Sequence, residues 1–186
     1  MGKLSYAVTM SLDGYVADAD GNFDWSGPCD SVFDLHVARL DKVTTEILGR
    51  KTYELMEYWE HYDEPDGTDA EHDFARGWRD LEKIVVSATL PESQLFSGRD
   101  RVVRSISVDE VSEIVAKTDG VVEIFGPTTA AAAIQAGIVD VFEFFVVPMI
   151  VGGGLRALPD GFRSNLRLTD KQVFDSGTVY GRYEPW

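Results

Sequence analysis

The chain has 186 residues and one cysteine, Cys29, so no internal disulfide can form and a cysteine-based zinc site is excluded. Its 44% hydrophobic and 26% charged residues describe a globular protein of one domain, spanning 1–186, with no run near the roughly 20 apolar residues of a membrane helix. The formal net charge of −15 opposes nucleic acid and anionic membranes as partners, so an anionic ligand would need a local basic site.

The first residues, Met1–Leu12, lack the apolar run and cleavage site of a signal peptide, and Tyr6 stands where a myristoylation motif needs Ser or Thr, so a cytoplasmic location is expected. Residues 3–10 read as a strand, with Leu4, Tyr6, Val8 and Met10 alternating against polar neighbours until Asp13-Gly14 ends the run. Helical spacing of Val32, Leu35, Val37, Ala38 and Leu40 predicts a helix over 31–43, followed by a strand at 45–48 closed by Gly49 and a helix over 50–58. Six acidic residues crowd between Asp63 and Asp73 beside His61 and His72; without EF-hand spacing they read as a solvated surface loop around Pro65-Asp66-Gly67. A helical stretch then leads into a buried strand at 84–86. A strand at 102–103, a helix over 108–117, a strand at 121–125 and an Ala-rich helix over 128–136 come next.

Strand and helix alternate through this region, which implies right-handed crossovers and a mainly parallel sheet with helices on both faces. After Gly137 the pattern changes. An apolar strand at 141–147 precedes Gly152-Gly153-Gly154, and the segments 166–174 and 178–183 flank Asp175-Ser176-Gly177 as an antiparallel hairpin. The fold class expected is therefore α/β, three-layered, with a mixed sheet ending in a C-terminal antiparallel hairpin.

The strongest chemical signal is Ile47-Leu48-Gly49-Arg50-Lys51-Thr52-Tyr53, a buried strand running through glycine into a helix that begins with basic and hydroxyl residues. Glycine permits close backbone approach, the first helical N–H groups lack internal partners, and Arg50 and Lys51 add charge, which together suit an anion. The pattern also fits a plain strand-to-helix turn with solvated basic residues. His36, His61 and His72 lack the i, i+4 pairing of a zinc helix, no metal is expected, and Phe142, Phe144 and Phe145 read as core or subunit interface.

Gly49-Arg50-x-Thr52 followed by an aromatic resembles the NADPH-binding turn of dihydrofolate reductases. Val85-Val86-Ser87 resembles the next strand end of that superfamily, and Ser107-Val108-Asp109-Glu110 the start of the following helix. Met10-Ser11-Leu12-Asp13-Gly14-Tyr15-Val16-Ala17 is similar to a segment of the reductase domain of riboflavin biosynthesis. So are Phe125-Gly126-Pro127-Thr128, Gly137-Ile138-Val139-Asp140 and Pro148 to Gly154, over about residues 3–184 in all.

The resemblance implies a dihydrofolate-reductase-like fold with NADPH as cofactor. It places Arg50 and Ser87 at the 2′-phosphate, Gly49, Lys51, Thr52, Gly126, Pro127 and Thr128 along the phosphates, and the segment Met10 to Ala17, with Val16 and the preceding Thr9, at the nicotinamide. The family has two adjacent glycines where this chain has Phe125-Gly126, so a side chain stands where the pyrophosphate would pass. Trp25-Ser26-Gly27-Pro28-Cys29-Asp30 is similar to the Trp-x-x-Pro-x-Asp of dihydrofolate reductases, which makes Asp30 the candidate catalytic carboxylate; an N-cap role for Asp30 or Ser31 is the competing reading.

No Gly-x-Gly-x-x-Gly is present, and the Pro-Cys-x-x-Cys of a deaminase is absent. The expected activity is reduction of a C=N bond in a heterocyclic small molecule, of the riboflavin-biosynthesis type, by a homodimer. The alternatives are a dihydrofolate-reductase-like pterin reductase, favoured by Trp25 and Asp30, and a non-catalytic nucleotide-binding dimer, favoured by Phe125 and the acidic surface.

Overall fold

The computed structural model describes residues 2–186. In chain order the first half runs β1 (Lys3–Ser11), β2 (Tyr15–Ala17), α1 (Asp30–Leu40), β3 (Val43–Gly49), α2 (Arg50–Leu55), α3 (Glu57–Glu60), α4 (Asp69–Asp80) and β4 (Glu82–Val86). The second half runs β5 (Arg101–Val103), α5 (Val108–Lys117), β6 (Val121–Phe125), α6 (Pro127–Gln135), β7 (Val141–Val147), β8 (Leu155–Arg156), β9 (Leu166–Val173) and β10 (Val179–Pro185). An eight-stranded sheet has the order β5-β4-β3-β6-β1-β7-β10-β9; its first six strands are parallel, and β10 joins β7 antiparallel with β9 as its hairpin partner. The expected three-layer mixed sheet is therefore present. A two-stranded antiparallel sheet of β2 and β8 was not foreseen.

The two faces of the sheet carry separate cores. Leu4 and Tyr6 of β1, Ile47 of β3, Ile84 of β4, Val122 and Ile124 of β6 and Phe142 of β7 pack under α5 and α6 with Val111, Ala130 and Ile134. On the opposite face Leu48, Tyr53, Trp78 and Val85 form a second cluster, and Val32 of α1 packs on Phe145, Phe174 and Tyr180. Phe142 and Phe145 thus fill core. The acidic run divides at Thr68. Only its first part is loop, because the Thr68 hydroxyl and the Glu71 carboxylate form a capping box that starts α4, with Asp69 and Glu71 in the helix's favourable first turn. Among the described residues, no group of His, Cys, Asp or Glu could hold a metal ion, and no helix is long and apolar enough to cross a membrane.

A row of polar side chains crosses the sheet beneath α1 and α4. Lys83, Glu46, Glu123 and Ser5 are register partners on successive strands, all buried. Arg39 reaches down from α1 to bond Glu123 at 2.5 Å and Glu143 at 2.9 Å, while Ser5 and Tyr180 donate to the same Glu143. Lys83 lies 3.3 Å from Glu60 and 3.5 Å from Asp100, over the Trp78 ring. Against the burial that raises it, Arg39 first and then Tyr180 and Arg182 hold Glu143 below the usual carboxylate range.

Glu46 differs: one of its oxygens has no hydrogen-bond partner, and burial first, then the neighbouring Glu123, push its carboxyl well above the ordinary value. A carboxyl with a raised native pKa stabilises the fold at low pH and loses that contribution as pH rises through the native value. Wild-type melting temperature should therefore fall as pH rises above the ordinary carboxyl range, and Glu46→Gln should flatten that decline, as followed by circular dichroism. An Arg39→Met protein, which leaves Glu123 and Glu143 without their cation, should lose about 3–5 kcal/mol in urea unfolding.

Candidate functional site

The carboxyl ends of parallel strands present turns and helix starts together on one edge, the usual place for a ligand in open α/β sheets. Here that edge collects the turns after β4, β3, β6, β1 and β7. Gly49 caps α2 and Gly126 caps α6, and β3 and β6 are adjacent, so the two turns lie side by side. A Cβ on Gly49 would stand 3.0 Å from the Thr129 hydroxyl, and one on Gly126 would stand 3.3 Å from the Thr52 hydroxyl. Gly126 also has φ +92°, a conformation that glycine alone adopts freely. Two motifs 77 positions apart in the chain thus form one backbone-lined surface edged by threonine hydroxyls.

Phe125 does not cover that surface. Its half-buried ring packs against the cluster holding Leu48, Tyr53 and Trp78, on the face opposite its neighbour Ile124. Strand alternation decides this: Ile124 and Phe125 must point to opposite faces. The two sequential glycines of the resembling family are therefore reduced to one, at the position whose φ requires it.

One strand further out, Arg50 donates from Nε to Glu54 at 2.6 Å and from Nη1 to the Thr89 hydroxyl at 3.1 Å. The Ser87 hydroxyl accepts from the backbone N–H groups of Thr89 and Leu90, and Arg104 donates to the Ala88 carbonyl at 2.6 Å. Arg50, Ser87, Thr89 and Arg104 thus gather around the turn after β4. Only Arg50 and Ser87 were anticipated, since nothing in the local sequence of β5 reveals that Arg104 folds back on that turn. These bonds leave further N–H groups on Arg50 and the Ser87 hydroxyl proton for an anion. Lys51 and Thr128 are exposed, and Thr52 and Pro127 half-buried, around the paired glycines. Ser107 is engaged locally in a capping box with Glu110 that starts α5.

On the other side of this edge, Thr9 lies near the carboxyl end of β1, in the alternation that faces α1, and Val16 lies in β2. Asp13 was not singled out from sequence as a site residue. It accepts from Ser11 Oγ at 2.7 Å and from the N–H groups of Val151 and Gly152 at 3.2 and 2.8 Å, which hold its carboxyl below the ordinary range.

Asp30 is the first residue of α1 and is exposed; the N-cap is Cys29, and no side chain caps the helix. The N-cap reading of Asp30 and Ser31 is thereby corrected, because the helix starts one residue before either could serve. Packing of Val32, His36 and Arg39 on the sheet and of Phe33 on Trp59 and Phe74 leaves Asp30 and Asp34 on the outward part of α1. His36 is stacked on Phe145 with its pKa lowered to about 3 by burial and by Arg39, so it stays neutral and structural. Arg156 lies over the Tyr15 ring beside Asp160, Arg167 pairs with Glu184, and Arg163 is exposed; the three form no cluster.

Residues 3–180 match the family model described as the RibD C-terminal domain. A putative riboflavin biosynthesis protein from Shewanella sp. PV-4 superposes with a TM-score of 0.77 at 22% identity, over 100% of this chain and 99% of that one. RibD from Acinetobacter baumannii superposes with a TM-score of 0.73 at 16% identity, over 100% of this chain but 58% of its own. Dihydrofolate reductase from Enterococcus faecalis, complexed with NADP(H) and RAB-propyl, gives 0.64 at 19% identity, over 99% of this chain and 96% of that one. At these identities the structural likeness is one of fold, and no curated protein sequence matches the chain. With the family model covering nearly the whole chain, this protein belongs to the RibD C-terminal domain family.

Proposed function

We propose that this chain is an NADPH-dependent reductase that reduces a C=N bond in a heterocyclic small molecule, as in riboflavin biosynthesis. The observation that carries this reading is the pairing of the Gly49 and Gly126 turns, where the bare backbone lies so close to the Thr129 and Thr52 hydroxyls that a Cβ on either glycine would crowd them, a surface suited to a pyrophosphate. The Arg50, Ser87, Thr89 and Arg104 group lies one strand away and offers the kind of local basic site that an anionic ligand needs on a chain of charge −15. Arg50 and Ser87 would hold the 2′-phosphate. Gly49, Lys51, Thr52, Gly126, Pro127 and Thr128 would hold the pyrophosphate, and Thr9 and Val16 would flank the nicotinamide. When bound, NADPH supplies the hydride; the chain supplies position and electrostatics. Asp30, at the start of α1 and without a structural bond of its own, would accept from a ring N–H or amino group of the substrate.

A second reading, a pterin reductase, is favoured by the dispersal of Arg156, Arg163 and Arg167. They offer no cluster for the phosphate of a phosphoribosyl substrate, whereas the Trp25 to Asp30 segment suits an uncharged ring. Assaying NADPH oxidation with a ribosylaminopyrimidine phosphate and with dihydropterins separates the two. The expected partner is a second copy of the chain. β9, one edge of the sheet, presents exposed Leu168 and Val173 among polar residues, and an unpaired strand edge can take a second strand.

Tryptophan quenching should show tighter binding of NADPH than of NADH. Arg50→Ala should remove about 1.5–3 kcal/mol from NADPH binding alone, and equal affinities in the wild type would contradict the assignment. Asp30→Asn should lower turnover by roughly 10²–10⁴ with NADPH binding and melting temperature unchanged; a variant with wild-type turnover would remove Asp30 from the chemistry. Phe125→Gly should leave NADPH affinity nearly unchanged while reducing stability by less than the about 3–5 kcal/mol of a fully buried phenylalanine, whereas a large gain in affinity would show that the ring obstructs the cofactor.

A further inference from the structure

The turn after β1 and the loop after β7 are joined by a set of bonds that neither local sequence requires. Ser11, fully buried, donates to Asp13 and accepts from the Tyr15 N–H at 3.0 Å. The two carboxylate oxygens of Asp13 then receive the N–H groups of Val151 and Gly152, 138 and 139 positions further along the chain. The Leu12 N–H donates to the Met149 carbonyl at 2.7 Å, the Ala157 N–H to the Gly14 carbonyl at 3.0 Å, and the buried Tyr6 hydroxyl to the Ala157 carbonyl. Beyond the clamp, β2 pairs with β8. The segments 11–17 and 148–157 are therefore one wall built from two parts of the chain, and Asp13 is the side chain that bonds to both.

We propose that Asp13 is a positioning residue, which fastens the β1–β2 turn to the loop after β7 so that this shared wall is set for the nicotinamide end of the cofactor. The inference rests on the cofactor reading above and takes its geometry from the strand order. The paired glycine turns follow β3 and β6, and the cationic group follows β4; the Asp13 wall follows β1 and β7. From β4 to β1 is three strand steps, roughly 14 Å at about 4.8 Å each. A dinucleotide held at its 2′-phosphate by Arg50 and at its pyrophosphate by the glycine turns has its far ring directed at that wall. Asp13 needs no contact with the ring. A carboxylate has lone pairs for two N–H donors and the Ser11 hydroxyl at once, whereas alanine leaves the Val151 and Gly152 N–H groups without that acceptor and loosens the loop after β7 against the β1–β2 turn at this point.

The test compares two ligands by tryptophan quenching: NADPH, and 2′-phospho-ADP-ribose, which carries everything except the nicotinamide. Wild type should bind NADPH more tightly. Asp13→Ala should weaken NADPH about tenfold or more, about 1.4 kcal/mol, while 2′-phospho-ADP-ribose binds as before, and the Val151 and Gly152 amides should exchange hydrogen faster. If the alanine variant does not fold, Asp13→Asn, which keeps one acceptor oxygen and the side-chain shape, takes the same comparison with a smaller selective loss of NADPH binding. A variant that weakens both ligands equally, or neither, overturns the positioning role and leaves the cofactor reading intact. A wild-type protein that binds neither ligand overturns the cofactor reading and this inference with it.

Discussion

The Arg39 guanidinium sits between Glu123 and Glu143 on two strands that flank β1, and the arrangement of the α1 face of the sheet follows from that contact. Three charges away from water are tolerable only where each is bonded, and here Ser5, Tyr180 and Arg182 complete the set around Glu143. The contact fixes α1 in rotation and along its axis. With Arg39 on the sheet, Val32 and His36 must follow it onto Phe145 and its neighbours, and the helix start at Asp30 is carried outward. A hydrophobic helix face can slide over a hydrophobic sheet at little cost, but a guanidinium held by two carboxylates has one position.

The same face carries a second ionic set, Lys83 with Glu60 and Asp100, and Tyr53 donates to that Asp100. Glu60 ends α3 and Tyr53 belongs to α2, so the helices that follow the Gly49 turn are tied to β4 and to the loop before β5. Glu46 lies between the two ionic sets with its carboxyl pushed up toward the neutral form, which spares the interior a further uncompensated charge. The acidic composition of the chain is thus expressed differently inside and outside. Inside, its carboxylates are ion-paired with Arg39 and Lys83 or, as at Glu46, pushed toward the neutral form. Outside, Arg50 and Arg104 converge on the turn after β4 and make a local basic site on an otherwise acidic chain.

The site edge divides into two kinds of construction. The Gly49 and Gly126 turns are shaped by what is missing, since a Cβ on either would crowd the Thr129 or Thr52 hydroxyl. The wall around Asp13 is shaped by added bonds between distant segments. The first kind tolerates Phe125 because alternation along β6 turns its ring into the core. The second combines backbone bonds and a strand pair with the one carboxylate of Asp13.

Local pattern carried most of the architecture. Alternation in β1, the apolar runs of β3, β6 and β7, and the spacing in α5 were readable because each depends on neighbours only a few residues away, and so was the glycine-to-basic turn at Gly49 to Thr52. The start of α4 inside the acidic run was missed because a Thr68–Glu71 capping box was hidden among residues that otherwise read as solvated loop. Sequence alone also determined that Asp30 lies at a helix start, but not whether it caps that helix, which the one-residue difference between Cys29 and Asp30 decides. The pairing of Gly49 with Gly126, the return of Arg104 to the turn after β4 and the bonds of Asp13 to Val151 and Gly152 were decided by tertiary structure alone. Each joins residues or elements far apart in the chain, and such contacts exist only once the strands have taken their order in the sheet.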